Sequence, residues 1–308
     1  MLLRKILVVV CVLGGWSSTG LAQVKLVQKV AESTTKRTEV VSRTTQKLTI
    51  AGMEIDTESD SRTTVKTTAG KRDDSGNVQV QSNVENLQIN LKVQGSDYVF
   101  DSANPDKATG SAFEILRPLH RGTLRRTTTT TFNNENRVSR IEFDQDPLND
   151  IPDETRKMFQ KQFDVEVLKE TANQELDRLP TDPVKVGETW DRTSKMNLEG
   201  GQIMTLVTRY KYTGTIERDG KKYEKIESEV QSVDYTLGPD STLPFTLKNS
   251  SLKPKDSKGE MLLDRERGEI VYSQATIQIV GDMTFVINNQ DLPAKLDLKI
   301  ESSSQPKN

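Results

Sequence analysis

A strict two-residue alternation constrains this chain more than any other feature. Leu87, Ile89, Leu91 and Val93 are separated by Gln88, Asn90 and Lys92, so an extended segment here sends its apolar side chains to one face and its polar ones to the other. Met204, Leu206, Tyr210, Tyr212 and Ile216 hold even positions, with Thr205, Val207, Arg209, Lys211 and Thr213 among the residues between them. Leu296, Leu298 and Ile300 alternate with charge. Eleven threonines lie between residues 24 and 70, and residues 127–131 are an unbroken threonine run; β-branched threonine suits a pleated, half-solvated surface better than a helix. Hydrophobic residues are only 33% of the chain. A sheet with one wet face accommodates that, because it needs apolar residues at only every second position.

Turn signals punctuate the alternation. Asp219-Gly220 links two alternating runs as a tight hairpin, and Arg265-Glu266-Arg267-Gly268 separates Met261-Leu262-Leu263 from Ile270-Val271-Tyr272. Gly52, the cluster at residues 73–77, Gly95-Ser96, Asn133-Asn134 and Asn288-Asn289 mark further turns. One stretch breaks the pattern. Asp150 is a candidate cap, Pro152 sits where a missing N–H is harmless, and Met158, Phe159, Phe163, Val165, Leu168, Ala172 and Leu176 follow at helical spacing. Met158, Phe159 and Phe163 share one flank, whereas Val165, Leu168, Ala172 and Leu176 share another, so a bend near Phe163-Asp164, or two abutting helices, is expected. Pro180 and Pro183 end the segment.

The expected architecture is therefore mainly β (α+β): one or more large curved antiparallel sheets packed on a central helical segment. The boundaries read as a signal peptide at 1–22, an N-terminal β region at 23–150, the helical segment at 151–179, a C-terminal β region at 180–302 and a loose polar tail at 303–308. The leader rests on Arg4 and Lys5, the apolar run Ile6–Leu13 and the small residues Gly20 and Ala22 before Gln23. The apolar run is shorter than the roughly 20 residues a membrane-spanning helix needs, so cleavage and export to the periplasm or the exterior are the expectation, with no integral membrane segment afterwards. Position 23 is glutamine, which does not fit a lipoprotein signal, and the single cysteine, Cys11, would leave with the leader.

The chemical inventory is narrow. The chain has 43 basic and 45 acidic side chains, and removing Arg4 and Lys5 leaves 41 against 45, a mild balance that argues against nucleic acid as a partner. His120 is the only histidine, which rules out multi-histidine metal sites, and no nucleophile elbow or phosphate loop accompanies it. Around it lie Arg117, Arg121, Arg125 and Arg126, read either as a solvated strand with outward arginines or as an anion site. Asp144, Asp146, Asn149, Asp150 and Asp153 lack calcium-loop spacing, and helix capping accounts for two of them. No catalytic residue, metal ligand or cofactor is expected.

Leu179-Pro180 followed by Pro183-Val184-Lys185-Val186-Gly187-Glu188-Thr189-Trp190 resembles a recurrent phrase in exported bacterial β-rich proteins of unknown function. Residues 263–270, Leu-Asp-Arg-Glu-Arg-Gly-Glu-Ile, resemble the strand–turn–strand phrase of the same proteins. The resemblance implies export and a β-rich fold, with Gly187 at a turn and Trp190 as a core anchor. More distantly, a curved antiparallel sheet closing on helices is similar to the periplasmic lipoprotein carriers. The functional expectation is a non-enzymatic binding or structural protein of the bacterial envelope, whose partner is a lipid-like ligand or an envelope protein. Its most specific form has Met158, Phe159, Phe163 and Leu168 lining an apolar groove; in the alternative, both flanks of the helical segment are fully packed. A hydrolase using carboxylates alone is the remaining alternative.

Overall fold

The computed structural model describes residues 23–149, 151–239 and 241–307. The expected leader at 1–22 and the expected cap Asp150 lie outside the described residues, as do the side chains of Glu154, Met158 and Glu199. Strands β1 (Thr34–Ile50), β2 (Met53–Ala69) and β3 (Val78–Val93) form a meander, and the short β4 (Ser96–Asp101) folds back on β3. Helix α1 (Arg117–Arg125) precedes the hairpin β5 (Thr127–Phe132) and β6 (Val138–Phe143). Two helices follow, α2 (Asp153–Phe159) and α3 (Val165–Leu176). The chain then runs through β7 (Thr189–Asn197), β8 (Gln202–Arg218), β9 (Lys221–Leu237), β10 (Thr246–Asp264), β11 (Glu269–Ile287) and β12 (Gln290–Pro306).

All twelve strands belong to one antiparallel sheet, in the order β6-β5-β3-β2-β1-β12-β11-β10-β9-β8-β7, with β4 paired to β3 off this path. The pairing of β1 with β12 joins the two β regions into a single surface. The hairpin at Asp219-Gly220 closes with φ of 53° and 70°, and Asn288-Asn289 with 50° and 63°, the left-handed pair that matches strand twist. Residues 303–306, expected to be a loose tail, continue β12: Ser303 pairs with Val41 and Pro306 with Thr38. A polar run looks like a tail in isolation, but the backbone ladder of β1 gives it partners.

The inner face of this sheet carries several packed clusters. The largest gathers Met204, Leu206, Val230, Tyr235, Ile279, Phe285 and Leu296, among others, from β8 to β12. Strand β9 pairs with β10 over Glu224–Ser228 and Gly259–Leu263, and the cluster draws on residues of both strands beyond that ladder, such as Val230, Tyr235 and Leu252. A second cluster unites Leu26, Leu179, Val184, Tyr212, Ile226 and Leu263. The chain before β1 thus lies on this face, tied by Val24 N–H to Val184 O (2.8 Å) and Lys29 N–H to Gly268 O (2.7 Å). On the outer face the alternate positions are charged and exposed, with pairs such as Arg43–Asp60 (2.5 Å) and Lys47–Glu54 (3.4 Å); such exposed pairs contribute little stability.

The helical segment bends where the two apolar flanks part. A 3₁₀ turn at Gln160–Phe163 follows α2, and Asp164 caps α3 by accepting from the N–H groups of Glu166 and Val167. The arginine-rich stretch departs from the strand expectation. Ser111 accepts from Phe113 N–H and starts a 3₁₀ turn at Ala112–Leu116 that runs into α1, with Pro118 in its first turn. Arg117 is buried rather than outward. Its guanidinium lies 5.4 Å from the Tyr98 ring centroid and 5.7 Å from that of Phe100, and it donates to Glu114 (2.6 Å) and to the carbonyls of Pro105 and Val99 (3.1 Å each). A buried charge is tolerable only with such partners, and the resulting helix covers the apolar cluster of Leu87, Tyr98 and Phe100.

Candidate functional site

The two ends of the sheet, β6 and β7, meet the same helix. Asn173 of α3 satisfies both backbone groups of Val138 in β6: Val138 N–H donates to its Oδ1 (2.9 Å) and its Nδ2 donates to Val138 O (3.0 Å). The next residue, Gln174, accepts from Lys195 N–H of β7 (2.9 Å). Arg137 beside β6 pairs with Asp177, whose carbonyl accepts from Arg192 Nε of β7 (2.6 Å). Trp190 Nε1 donates to Arg178 O (2.7 Å), and its ring stacks on Tyr210 at 5.9 Å and 16°. Helix α3 therefore bridges two strand edges that would otherwise expose unpaired backbone groups, closing the curled sheet into a barrel-like enclosure. It does so lightly, since none of its described residues is buried.

Beneath α3 lies a cavity of about 560 Å³. Val167, Leu168, Thr171 and Gln174 line it from the helix, Met196 and Leu198 from β7 and just beyond it, and Leu206, Val230, Ile277, Ile279 and Ile300 from the sheet. The register explains why space remains there. One row across the inner face reads Tyr210–Ser228–Gly259–Ala275–Ser302 and continues through Ser42 and Ser61. Tyr210 belongs to the second cluster, and the small side chains that follow it in the row separate that cluster from the first. At Gly259 an added Cβ would lie 2.3 Å from Ser228 Oγ, so a larger residue there would have to turn that serine aside.

The lining also carries charge, with Lys195 and Lys258 beside its hydroxyls. Arg178 is the guanidinium in its lining, and it is paired with Glu175, the carboxylate there, at 2.7 Å. Burial pushes the Tyr210 phenol above its ordinary value, so it stays a neutral hydroxyl. His120 lies elsewhere, its Nδ1 2.7 Å from the Tyr98 hydroxyl, and burial holds its pKa down at about 4, with Arg117 adding to the effect. A second, larger depression of about 880 Å³ is lined by charged side chains, including Arg43, Asp60, Arg209, Glu229 and Glu301, and shares Ser228, Ser257, Lys258, Gln274, Ala275 and Ser302 with the cavity beneath α3. Lys299 holds the Glu301 carboxyl below its usual range.

Of the four residues expected at a groove, Leu168 lines the cavity. Phe159 is buried with Leu119, Leu148 and Ile151, and Phe163 packs against that cluster. Phe163 also lies 5.1 Å from the Arg126 guanidinium, which has Phe143 on another side at 5.0 Å. The structure thus places Leu168 apart from both phenylalanines; the Met158 side chain is outside the described residues. The sheet side of the cavity, from Met196 to Ile300, carries no local mark in the sequence. Its apolar members stand in the same alternation that marks the strands, and nothing local separates cavity lining from core.

No curated protein matches this chain by sequence. Among solved structures, lipovitellin, in a study of its lipid–protein interactions, is similar at 9% identity and a TM-score of 0.45. That similarity covers 91% of this chain but 26% of lipovitellin, so the chain spans about a quarter of that protein's length. A DUF1329 family protein from Desulfovibrio piger aligns at 7% identity over 84% of this chain and 83% of its own, with a TM-score of 0.13. OccK5 (OpdH) of Pseudomonas aeruginosa aligns at 8% identity over 90% and 100%, with a TM-score of 0.20. Residues 147–229, which contain α2, α3, β7, β8 and the start of β9, match a family of unknown function, DUF6263.

Proposed function

We propose that this chain is an exported, non-enzymatic binding protein that holds the apolar chain of a lipid-like molecule in the cavity beneath α3. The observation that carries the reading is the cavity itself. Its volume of about 560 Å³ falls within the roughly 300–1,000 Å³ of small-ligand pockets. Aliphatic side chains from α3 and from β8 to β12 line it, and its roof is a helix held mainly by polar contacts at its edges. Apolar surface left open inside a fold gains by being covered, at about 0.8 kcal/mol for each methylene buried. Export rests on the leader read at residues 1–22. The non-enzymatic part rests on the pairing of Glu175 with Arg178, because carboxylate hydrolysis calls for a second acid held protonated nearby.

The test is native mass spectrometry of the chain purified gently from exported material, followed by organic extraction and binding of saturated acyl chains of graded length. A stoichiometric adduct is expected, with affinity rising about fourfold per added methylene until the cavity is filled. Leu168→Glu and Met196→Asp would place charge in the lining and should each abolish that binding. A bare mass combined with no length dependence would defeat the reading and leave a structural or protein-binding role.

A further inference from the structure

The lining of the cavity beneath α3 is unequal in charge. Arg178, Lys195 and Lys258 bring three cations to it, and Glu175 brings one carboxylate. Glu175 is taken up by Arg178 at 2.7 Å. Neither lysine has an ion pair or a side-chain hydrogen bond among the described residues, so two positive charges are left over. Lys258 stands where the aliphatic cavity meets the larger charged depression, in the stretch that both share with Ser228, Ser257 and Ser302. The carboxylates of that depression have cations of their own. Asp60 pairs with Arg43 (2.5 Å), Glu227 and Glu260 with Lys225 (3.1 and 3.0 Å) and Glu301 with Lys299 (2.8 Å), while Glu229 lies near Arg209. Glu301 also feels Lys258, but Lys258 is exposed and solvent weakens that attraction.

From this imbalance we infer that the ligand is an anionic single-chain amphiphile of the fatty-acid kind, its tail in the aliphatic part of the cavity and its carboxylate at the junction beside Lys258. The inference rests on the lipid-binding reading above and specifies its ligand. An ionised carboxylate only accepts hydrogen bonds, and the junction offers donors in the Lys258 ammonium and the hydroxyls of Ser228, Ser257 and Ser302. Ser257 already accepts from Val230 N–H at 2.8 Å, which leaves its own O–H to donate. Charge-assisted bonds of this kind are about twice as strong as neutral ones. A neutral head group would use the same hydroxyls but leave the lysine charge unmatched. At an exposed junction the carboxylate also keeps water on one side, so it escapes the desolvation cost of a deeply buried ion. Lys195, whose N–H donates to Gln174 of α3, lines the cavity but not the depression, and so adds positive charge away from the junction.

The experiment compares three ligands of equal chain length at pH 8: palmitate, methyl palmitate and 1-monopalmitoylglycerol, each displacing a fluorescent acyl probe. Palmitate is expected to bind about tenfold more tightly than either neutral ester, and its advantage should shrink as salt is added. Lys258→Gln should weaken palmitate about tenfold and leave both esters unchanged; this control separates lost charge from lost structure. Lys258→Arg should keep the palmitate preference. Lys195→Gln should cost palmitate less than Lys258→Gln does. Esters binding as tightly as palmitate, or Lys258→Gln weakening all three alike, would overturn the head-group inference while leaving the cavity reading intact. A larger loss from Lys195→Gln would overturn the placement at the junction. Binding of none of the three would instead remove the cavity reading itself, and the inference with it.

Discussion

Along β12 the inner face changes character within a few residues. Ala294, Leu296 and Leu298 are buried in the large cluster, whereas Ser302 and Ser304 are not, although they occupy the same face of the same strand. The same change runs down β11, from Phe285, Met283 and Ile279 to Ala275 and Ser273, and down β1, from Ile50 and Leu48 to Thr44 and Ser42. By register these small residues lie side by side across neighbouring strands. The sheet is therefore regular in backbone and divided in side chains: dry ends that hold the fold, and a band that leaves room under α3. Burial of apolar surface supplies stability in proportion to area, so the two zones should respond oppositely to substitution.

The largest expected effect is in the dry zone. Phe285 is 4% exposed and its ring centroid lies 4.7 Å from that of Phe245. Phe285→Ala should cost about 3–5 kcal/mol of stability by lost transfer energy and the cavity left behind, read as a fall in the denaturant midpoint at unchanged slope. A loss below about 1 kcal/mol would mean that this end is as loosely packed as the band.

A second dry contact is sensitive to acid. His120 of α1 has its pKa held down at about 4 by burial first and Arg117 second, against 6.5 for the free side chain. Between those values the unfolded chain binds the extra proton, so stability rises with pH across that window. The contribution is fully present above pH 6.5, declines as pH falls and is gone below about 4. Its size is on the order of 3 kcal/mol at 1.36 kcal/mol per unit. His120→Gln, which keeps a polar partner for the Tyr98 hydroxyl, should flatten the wild-type decline between pH 6.5 and 4; carboxylates titrating lower down are common to both proteins and cancel in the comparison. Identical pH profiles would place His120 in contact with water rather than in the dry zone.

The roof of the band should yield at smaller cost. Asn173→Ala removes both hydrogen bonds that α3 makes to Val138 of β6, for an expected loss of about 1–3 kcal/mol. Hydrogen exchange should quicken at the Val138 amide and through α3 while the amides of β11 and β12 stay protected. Uniform acceleration would show that helix and sheet open as one unit.

What could be read in the sequence follows from the range of the interactions concerned. The alternation at Leu87–Leu91 and Met204–Tyr212, the turn at Asp219-Gly220 and the break at Phe163-Asp164 are local, and each stands where its residues indicate. Helix α1 was hidden because four arginines masked Phe113, Leu116, Leu119 and Leu124, the apolar residues of the turn and helix that lie against the inner clusters. The strand at 303–306 was hidden because its partners in β1 lie at the other end of the chain. The cavity was hidden for the same reason. Ser228, Ala275 and Ser302 are unremarkable serines and alanine until strand pairing sets them in one row.

The smallest stability effect belongs to the band, and it is the one that separates folding from binding. Ser302 is exposed to the cavity, with Ala275 of β11 and Ser42 of β1 as its register neighbours. Ser302→Leu breaks no side-chain hydrogen bond among the described residues and enters open space, so stability should change by no more than about 0.5 kcal/mol. The added isobutyl group occupies room that an acyl chain would need. Acyl-probe binding should therefore drop at least tenfold in a protein that melts at the wild-type temperature. If Ser302→Leu instead stabilised the fold by about 2 kcal/mol, the band would be underpacked core that leucine completes. An unchanged affinity would place the bound chain nearer Met196 and Leu198, away from β12.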